Sequence, residues 1–374
     1  MYAERPGAVD VVIAGGGPAA CAVALTLRRY TGLSVMLVEQ SGYEHSKVGE
    51  TLSPGVLPLL DYLGVGEAFR DAGFSPSYAF TAAWGDGQVR ARDFLFTGRG
   101  YGWHLDRRRF DAGLANAARS FGAQLLLKAR LRDICREQEG WRLMASLEDG
   151  EVPLRCGYLI DATGRSAWLA RAVGAKKLRH DRLVGVATYH AASTVPVEAC
   201  SLVESVPQGW WYSAPVPDGR VVSVLMTDSD LLQESHASRF AFWQAALDRA
   251  PQTRARIGGR EAEEPLRIWP AHSQSLVPCC GPGWAAAGDA AAAFDPLSSM
   301  GIGYALSTGI QAARLAAAHF ADGSGEALQR QAYGDDIGRH IDEYLTLKRG
   351  YYEAERRFAH EPFWTRRRSG GEAL

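Results

Sequence analysis

The residues best suited to chemistry are a glycine cluster and an acidic residue near the start of this 374-residue chain. An apolar stretch at 11–14 leads into Gly15, Gly17 and Ala20; a helix-forming stretch follows, and a second apolar stretch ends at Glu39. Gly15 permits a tight strand-to-helix turn, Gly17 lets the backbone approach a pyrophosphate, and Ala20 keeps the helix close to the sheet. The carboxylate of Glu39 can accept hydrogen bonds from a ribose. Strand, turn, helix, strand and acid occur in the order that a dinucleotide site requires, so we predict such a site here.

A second glycine–acid pair lies far along the chain, at Gly288 and Asp289, directly after the apolar stretch 284–287. A carboxylate there can accept a hydrogen bond from a ribose or ribitol hydroxyl, and the backbone N–H groups of 298–303 can face a phosphate or a flavin carbonyl. The alternative is a purely structural aspartate that caps a helix. Because a nucleotide site already opens the chain, the pair favours one cofactor site assembled from both ends of the sequence.

Composition argues against several classes of protein. The formal net charge of −1 gives no general attraction to nucleic acid or to an anionic membrane. No apolar run reaches the length of a membrane span, and the N-terminus lacks the apolar core of a signal peptide. The six cysteines are scattered, which is typical of a protein in a reducing cytoplasm. No metal-ligand spacing, nucleophile elbow or P-loop lysine is present, so the hard chemistry must come from a cofactor.

The elements that must position these residues alternate between helix and strand, which predicts an α/β (α+β) fold. Glycine turns separate strand patterns at 132–136, 141–147 and 152–160, which indicates an antiparallel meander. Helices are expected at 56–72, 106–121, 236–248 and 301–320. Because a sheet-rich section interrupts the nucleotide site, we predict a Rossmann-like discontinuous cofactor domain at 1–75, 100–182 and 275–325, an inserted antiparallel-sheet substrate domain at 76–99 and 183–274, and a C-terminal helical arm at 326–374.

Five motifs in order give the chain a family resemblance: GGGPAA with Glu39, KVGETLSP at 47–54, LDRRRFD at 105–111, DATGRSAWLAR at 161–171 and GDAAAAFDPLSSMGIG at 288–303. The chain resembles FAD-dependent monooxygenases of the p-hydroxybenzoate-hydroxylase type, within them the branch that contains flavin-dependent halogenases. The resemblance implies FAD, contacts from Arg107 and Asp289, and a turn beginning at Pro296 beside the isoalloxazine ring. The predicted cofactor-binding residues are Gly15, Gly17, Pro18, Ala19, Ala20, Glu39, Gln40, Lys47, Arg107, Asp161, Gly288, Asp289, Pro296, Ser299, Met300, Gly301 and Ile302.

Two altered motifs argue against halogenation. The resemblance implies that a halogenase needs a lysine to handle hypohalous acid, but the matching stretch at 73–85 has Ser77 in that position. The family's tryptophan motif is altered at 209–215, which reads GWWYSAP. Adjacent strand residues point to opposite faces, so Trp210 and Tyr212 should share one face and Trp211 should lie on the other.

Hydroxylation in this family implies that reduced flavin reacts with O2 at C4a, and that the hydroperoxide passes its distal oxygen to an electron-rich ring. The protein must then supply a dry pocket, a hydrogen bond to the hydroperoxide and, where the substrate is deprotonated, a base. The predicted catalytic residues are Lys47, Glu50, His45 and Trp211. The predicted substrate-pocket residues are Ser77, Trp84, Trp210, Tyr212 and Pro296. Plainer alternatives are an exposed loop cation for Lys47, a surface or core histidine for His45, and core packing for the aromatic residues.

Within the family, the stretch 209–215, the absent lysine and the segment 351–368 are similar to flavoproteins that help to mature cysteine tryptophylquinone. That resemblance implies a partner polypeptide whose tryptophan side chain is hydroxylated on its indole ring. A flavin-dependent halogenase of a small aromatic compound and a non-catalytic flavoprotein maturation partner remain the alternatives. Electrons would come from NAD(P)H or from reduced flavin supplied by a flavin reductase; the run 161–164 departs from the motif of direct NAD(P)H use and favours external reduced flavin.

Aromatic residues and arginines are interleaved through 342–368, and this composition suits a protein contact. The alternative is an amphipathic helix packed on its own domain. We favour that alternative for 342–358 and leave both open for 359–368.

Overall fold

Residues 7–234, 238–262, 265–321 and 325–368 are described by the computed structural model of the chain. The strands are β1 (Ala8–Ala14), β2 (Val35–Val38), β3 (Thr51–Leu52), β4 (Ser75–Ser77), β5 (Ala79–Ala83), β6 (Val89–Asp93), β7 (Gly102–His104), β8 (Gln124–Leu126), β9 (Arg130–Glu137), β10 (Gly140–Leu147), β11 (Gly150–Asp161), β12 (Lys176–Arg179), β13 (Leu183–His190), β14 (Cys200–Val206), β15 (Gly209–Pro215), β16 (Val221–Asp228), β17 (Arg267–Pro270), β18 (Gln274–Val277), β19 (Cys280–Gly281), β20 (Trp284–Ala286) and β21 (Ala292–Ala293). The α-helices are α1 (Pro18–Tyr30), α2 (Leu57–Tyr62), α3 (Gly66–Asp71), α4 (Arg107–Ser120), α5 (Trp168–Ala172), α6 (Ser229–Glu234), α7 (Arg239–Leu247), α8 (Pro251–Ile257), α9 (Gly301–Phe320), α10 (Glu326–Ala354) and α11 (Pro362–Arg368).

A mainly parallel sheet, the central sheet, carries the predicted cofactor motifs. Its strand order is β19-β20-β11-β1-β2-β8, with β10 and β9 continuing from β11. Strands β1, β2, β8, β11 and β20 pair in parallel, whereas β9, β10 and the first part of β11 form the antiparallel meander expected from their glycine turns. Helices α1 and α9 pack closely, since a Cβ on Gly309 would lie 2.6 Å from the carbonyl oxygen of Ala19. The predicted α/β fold class is confirmed.

A second sheet, the inserted sheet, has the order β17-β13-β16-β15-β14-β5-β6. Its pairs are antiparallel except for β5 with β14, which run parallel. The fully antiparallel sheet that we predicted is therefore corrected at this one pair. Strand β5 enters from a separate segment of the chain, so no hairpin forces it to run opposite to β14. The boundaries 76–99 and 183–274 of the substrate domain stay a prediction.

Two predicted helices differ from the structure in their bounds. The stretch 56–72 contains α2 and α3 rather than one helix, and Gly64 between them has φ +75°. A residue with positive φ leaves the right-handed helix, so the chain breaks there. The helix expected at 236–248 is α7, which begins at Arg239, while position 236 lies outside the described residues.

The C-terminal arm lies against the inserted sheet. Tyr352, Phe363 and Trp364 are fully buried with Trp210 in one apolar cluster. The indole N–H of Trp364 donates to the carbonyl of Val206 at 2.9 Å. Arg366 and Arg367 pair with Asp228, and these contacts lie within the chain. Both halves of 342–368 therefore pack on the protein itself.

Candidate functional site

The glycine turn between β1 and α1 has the shape that a pyrophosphate requires. Gly15 has φ +110°, and a Cβ there would lie 2.4 Å from the carbonyl oxygen of Ala162, so only glycine fits. Gly17 caps α1, and a Cβ there would meet nothing within 4 Å, so this face of the turn borders open space. Pro18 follows at the start of the helix. The first N–H groups of α1 can therefore face an anionic ligand.

Glu39 stands beside this turn at the end of β2. One carboxylate oxygen accepts from the backbone N–H of Gly16 at 2.7 Å, and the other accepts from the N–H and hydroxyl of Ser41. The Tyr43 hydroxyl donates to the Gly16 carbonyl at 2.8 Å. These contacts hold a carboxylate at the position where a Rossmann site has the acid that binds the ribose of the dinucleotide. Gln40, the next residue, is exposed.

Asp289 faces an internal opening. It lies deep in the protein, and burial raises the pKa of its carboxyl, yet a third of the side chain (33%) remains accessible. The guanidinium Nε of Arg165 lies 3.4 Å from its Oδ2 and opposes that increase in pKa. Arg165 was not among the predicted site residues, although its position within the motif 161–171 was the available signal. A carboxylate, which accepts hydrogen bonds, and a guanidinium, which donates them, can together bind the polar edge of a flavin.

Gly288 lies between α1 and α9, since a Cβ there would meet Ala19 of α1 and, at 3.4 Å, the Cβ of Ala305 of α9. Gly288 has φ +60°, and a Cβ there would lie 2.9 Å from the Cβ of Ala19. Beyond it, Pro296, Ser299 and Gly301 are exposed, while Met300 and Ile302 are half-buried. Two helix N-termini thus converge, and both favour negative charge. A long anionic cofactor with polar groups at both ends fits this arrangement.

Arg107 and Lys47 are joined through one buried carboxylate. Asp111 accepts from Arg107 at 3.1 Å and from Lys47 at 3.0 Å, and its own side chain is only 1% exposed. Arg107 also donates to the carbonyl of Val48 at 3.2 Å. The loop 47–50 is therefore tied to the N-terminus of α4. Lys47 is 38% exposed, so it is a partly exposed loop cation, as in the plainer alternative, and is paired with a buried carboxylate.

Glu50 is the buried acid of the same loop. Its Oε1 accepts from the Tyr189 hydroxyl at 2.8 Å, and its Oε2 accepts from the N–H of Gly49 at 2.9 Å. Burial raises the pKa of this carboxyl, and these hydrogen bonds partly offset the effect. Tyr189, on β13, was not among the predicted residues because nothing local in the sequence links it to Glu50.

Tyr212 belongs to a chain of hydrogen-bonding groups. Its hydroxyl lies 2.8 Å from the Thr51 hydroxyl, which lies 3.3 Å from Nδ1 of His104. Tyr212 lies deep in the protein, yet the residue as a whole is only half-buried. Burial lowers the pKa of His104 to about 4, so the ring is neutral at pH 7. Ser77 lies nearby on β4, fully buried, and its hydroxyl has no hydrogen-bond partner among the described residues.

Several predicted residues lie elsewhere. Trp211 is on the opposite face of β15 from Tyr212, where its indole N–H donates to the carbonyl of Ala246 at 3.3 Å. His45 is exposed on the loop. The side chain of Asp161 is inaccessible, and both its oxygens accept hydrogen bonds, from Thr163 and from the N–H of Ala170. These contacts give the side chain of Asp161 a turn-forming role, and the part of this residue in cofactor binding stays a prediction.

The predicted aromatic wall is partly filled by the arm. Trp210 shares its face with Tyr212 as expected, but it is only 1% exposed and donates to the Tyr352 hydroxyl at 3.0 Å. The ring of Trp84 packs 5.2 Å from that of Trp364. Of the three aromatic pocket candidates, Tyr212 combines a half-buried ring with a hydroxyl joined to the 47–51 loop.

Among the described residues, no cluster of three or more His, Cys, Asp or Glu side chains is arranged to hold a metal ion. Within the same ranges, no helix combines the length and apolar character needed to cross a lipid bilayer.

Comparisons with known proteins agree on the cofactor and differ on the reaction. A family model described as an FAD binding domain matches residues 8–336. The putative FAD-dependent oxidoreductase LodB of Marinomonas mediterranea is 31% identical over 362 residues, covering 96% of each chain. Tryptophan 2-halogenase of Chondromyces crocatus is 27% identical over 387 residues, covering 99% of this chain and 73% of the relative. Among solved structures, the peptidyl tryptophan dihydroxylase QhpG, described as essential for tryptophylquinone cofactor biogenesis, has a TM-score of 0.77 and 26% identity over 96% of this chain and 78% of its own.

Proposed function

The chain belongs to the FAD-binding-domain family and binds FAD, and on that premise we propose that it is an FAD-dependent monooxygenase that hydroxylates an electron-rich aromatic ring. The proposed substrate is the indole of a tryptophan side chain in a partner polypeptide, on the way to cysteine tryptophylquinone. O2 is the co-substrate, and a flavin reductase supplies reduced flavin, with NAD(P)H as the other electron source. A cytoplasmic location belongs to the same proposal.

The residues at the two helix N-termini would hold the cofactor. Gly17 and Pro18 would face the pyrophosphate, Glu39 would face the ribose, and Asp289 with the turn 296–302 would face the flavin. When bound and reduced, FAD supplies the activation of O2 that no side chain provides. The protein binds, orients and shields the reacting groups.

The observation that carries hydroxylation over halogenation is the environment of Ser77. A buried hydroxyl stands where the halogenase-like stretch requires an ammonium group. The chain has five lysines, and the side chain of Lys47, the one nearest to this site in the sequence, is bound to Asp111. A serine hydroxyl cannot hold or activate an electrophilic halogen as an ammonium does, so oxygen transfer is the favoured reaction.

Tryptophan as the target is supported by two relatives with different chemistry. One is a tryptophan 2-halogenase and the other a peptidyl tryptophan dihydroxylase. Both names specify tryptophan as the target, although one protein transfers a halogen and the other adds hydroxyl groups. A peptidyl substrate is supported by the second of them at 26% identity.

Three side chains have proposed roles. Tyr212, whose half-buried ring shares the face of β15 with Trp210, contacts the substrate. Glu50 is buried, so it takes up the proton that a ring carbon loses through the Tyr189 hydroxyl, which already donates to its Oε1, and burial raises its pKa toward the range in which a general base works at neutral pH. Lys47 keeps the loop 47–50 in place through Asp111. His45 and Trp211 have no role in this proposal because one is exposed and the other faces away.

The test uses photoreduced holoenzyme mixed with O2 and a tryptophan-containing peptide. We expect the peptide to gain oxygen, and Glu50→Gln to lower the yield without changing the affinity for FAD. The matched control is Glu44→Gln, an exposed acid in the same loop region, which should leave the yield unchanged. Reoxidation of the flavin without any change in the peptide would contradict the proposal.

A flavin-dependent halogenase is the second candidate, and the 27% identity to a tryptophan 2-halogenase across nearly the whole chain favours it. It requires a product that forms only when bromide or chloride is present. A non-catalytic flavoprotein maturation partner is the third. It requires the partner polypeptide to bind while reduced enzyme and O2 leave its tryptophan unmodified.

A further inference from the structure

We propose that Tyr352 and Asp295 form a positioning pair. Through this pair the C-terminal arm holds the turn 295–299, the flavin-side turn, in a fixed position relative to the inserted sheet. The pair is a hydrogen bond of 2.6 Å from the Tyr352 hydroxyl to Oδ2 of Asp295, and each side chain is 1% exposed. The inference uses FAD binding but not the identity of the reaction.

Asp295 shapes the turn that leads into α9. Its Oδ1 accepts from the N–H of Leu297 at 2.9 Å, and its carbonyl accepts from the N–H of Ser298 at 3.0 Å. The exposed Pro296 and Ser299 of this turn border the start of α9. Any displacement of the Asp295 carboxylate therefore moves the backbone that faces the flavin.

The arm supplies the other contacts of Asp295. Besides Tyr352, the Tyr344 hydroxyl receives a hydrogen bond from the N–H of Asp295 at 2.8 Å. Tyr344 lies 2.6 Å from the Ser273 hydroxyl, and Lys348 donates to the same hydroxyl at 3.0 Å and pairs with Asp181. Three side chains on one face of α10 thus converge on the turn and its surroundings.

Tyr352 also reaches the inserted sheet. Its hydroxyl accepts from the indole N–H of Trp210 at 3.0 Å while it donates to Asp295. The face of β15 that carries Trp210 also carries Tyr212. One hydroxyl of the arm therefore connects the substrate side of the protein to the flavin side.

The hydrogen bond between Tyr352 and Asp295 is costly to break because it is buried. Burial raises the pKa of Asp295, because water no longer stabilises the charged carboxylate. The hydrogen-bond donors around it, including Tyr352, are what stabilise its charge instead. Removing one partner of a buried hydrogen bond leaves the other unsatisfied and costs free energy. Loss of the Tyr352 hydroxyl leaves both Asp295 and the indole N–H of Trp210 without this partner.

The first test compares Tyr352→Phe with Tyr351→Phe, a matched control one residue earlier whose side chain is 50% exposed. We expect Tyr352→Phe to raise the Kd for FAD on the order of tenfold and to shift both the flavin absorption bands and the reduction potential of the bound flavin. The control should retain all three wild-type values. A folded Tyr352→Phe protein with wild-type Kd, spectrum and potential would overturn the inference.

A second test needs no variant. Coupling between two sites is reciprocal, so binding of FAD to the wild-type apoprotein must slow hydrogen–deuterium exchange in α10 around 344–352 as well as at 296–302. Protection confined to the glycine turn and 288–302 would overturn the inference even if Tyr352→Phe failed to fold.

Discussion

Replacing Gly17 by alanine separates cofactor binding from folding. Gly17 has φ −77° and ψ −176°, which any residue adopts, and the added Cβ meets no atom within 4 Å. The apoprotein should therefore keep its stability to within about 1 kcal/mol, because alanine has fewer unfolded conformations than glycine but is a poorer helix N-cap. The methyl group instead occupies the space through which the backbone approaches the pyrophosphate.

The effect on binding follows from the hydrogen bonds that the methyl group prevents. Each bond from a backbone N–H to a charged phosphate oxygen contributes about 1.5–3 kcal/mol. Loss of one such bond corresponds to a rise in Kd of roughly 10- to 100-fold. Gly15→Ala is the matched contrast: its positive φ costs about 1–3 kcal/mol for alanine, and the Cβ would lie 2.4 Å from the carbonyl oxygen of Ala162.

Two measurements on each purified apoprotein decide the matter. Urea unfolding gives the free energy of unfolding, and titration with FAD, followed by quenching of flavin fluorescence, gives Kd. Gly17→Ala should change only Kd, whereas Gly15→Ala should lose both stability and affinity. Wild-type affinity in Gly17→Ala, or a loss of stability equal to that of Gly15→Ala, would refute the assignment of this turn to the pyrophosphate.

Three further predictions concern groups around the site. His104, whose pKa burial lowers from 6.5 to about 4, binds a proton in the unfolded chain before it does in the folded one. The free energy of unfolding should thus fall by up to about 3 kcal/mol between pH 6.5 and 4, and urea unfolding should show no such fall from this group in His104→Gln. If wild type and His104→Gln lost the same free energy of unfolding over this pH range, His104 would not be the cause. Asp111→Asn should lower stability by about 3 kcal/mol and raise the Kd for FAD, since Arg107 and Lys47 lose a shared partner; an unchanged Kd would detach this pair from the cofactor site. Trp364→Ala should cost about 3–5 kcal/mol in urea unfolding, and a loss below about 1 kcal/mol would mean that the arm does not pack as described.

The cofactor half of the fold could be predicted because its signals are local. Gly15, Gly17 and Glu39 lie within one strand-helix-strand unit, and each residue type answers a backbone or ribose requirement at a fixed spacing. Helix α9 was predicted at 301–320, its observed bounds, because a long alanine-rich segment has the period and composition of a helix packed on a sheet.

Contacts between distant segments could not be predicted in this way. Glu50 and Tyr189 come together only when the inserted sheet is placed beside the loop 47–50, and Arg165 and Asp289 only when β11 and β20 pair in the central sheet. Alternation along β15 placed Trp211 opposite Tyr212, but it could not say which face a helix covers. The indole of Trp211 meets α7 because that helix packs on the outer face of the inserted sheet.

The packing of the C-terminal arm also could not be predicted from the sequence alone. Its aromatic residues and arginines suited a partner surface or an internal surface equally well, since both bury the same side chains. The pairing of Arg367 with Asp228, and the hydrogen bond from the indole N–H of Trp364 to the carbonyl of Val206, depend on residues far away in the sequence. Composition alone therefore left 359–368 open, and the packing of the inserted sheet decides it.

The central claim, transfer of oxygen to a tryptophan ring, is tested most directly by isotope labelling. Photoreduced holoenzyme is mixed with ¹⁸O2 and a tryptophan-containing peptide, with and without bromide, and the peptide is analysed by mass spectrometry. We predict incorporation of ¹⁸O into the indole, in equal yield with and without bromide. A brominated product, or oxygen derived from water rather than from O2, would contradict the account.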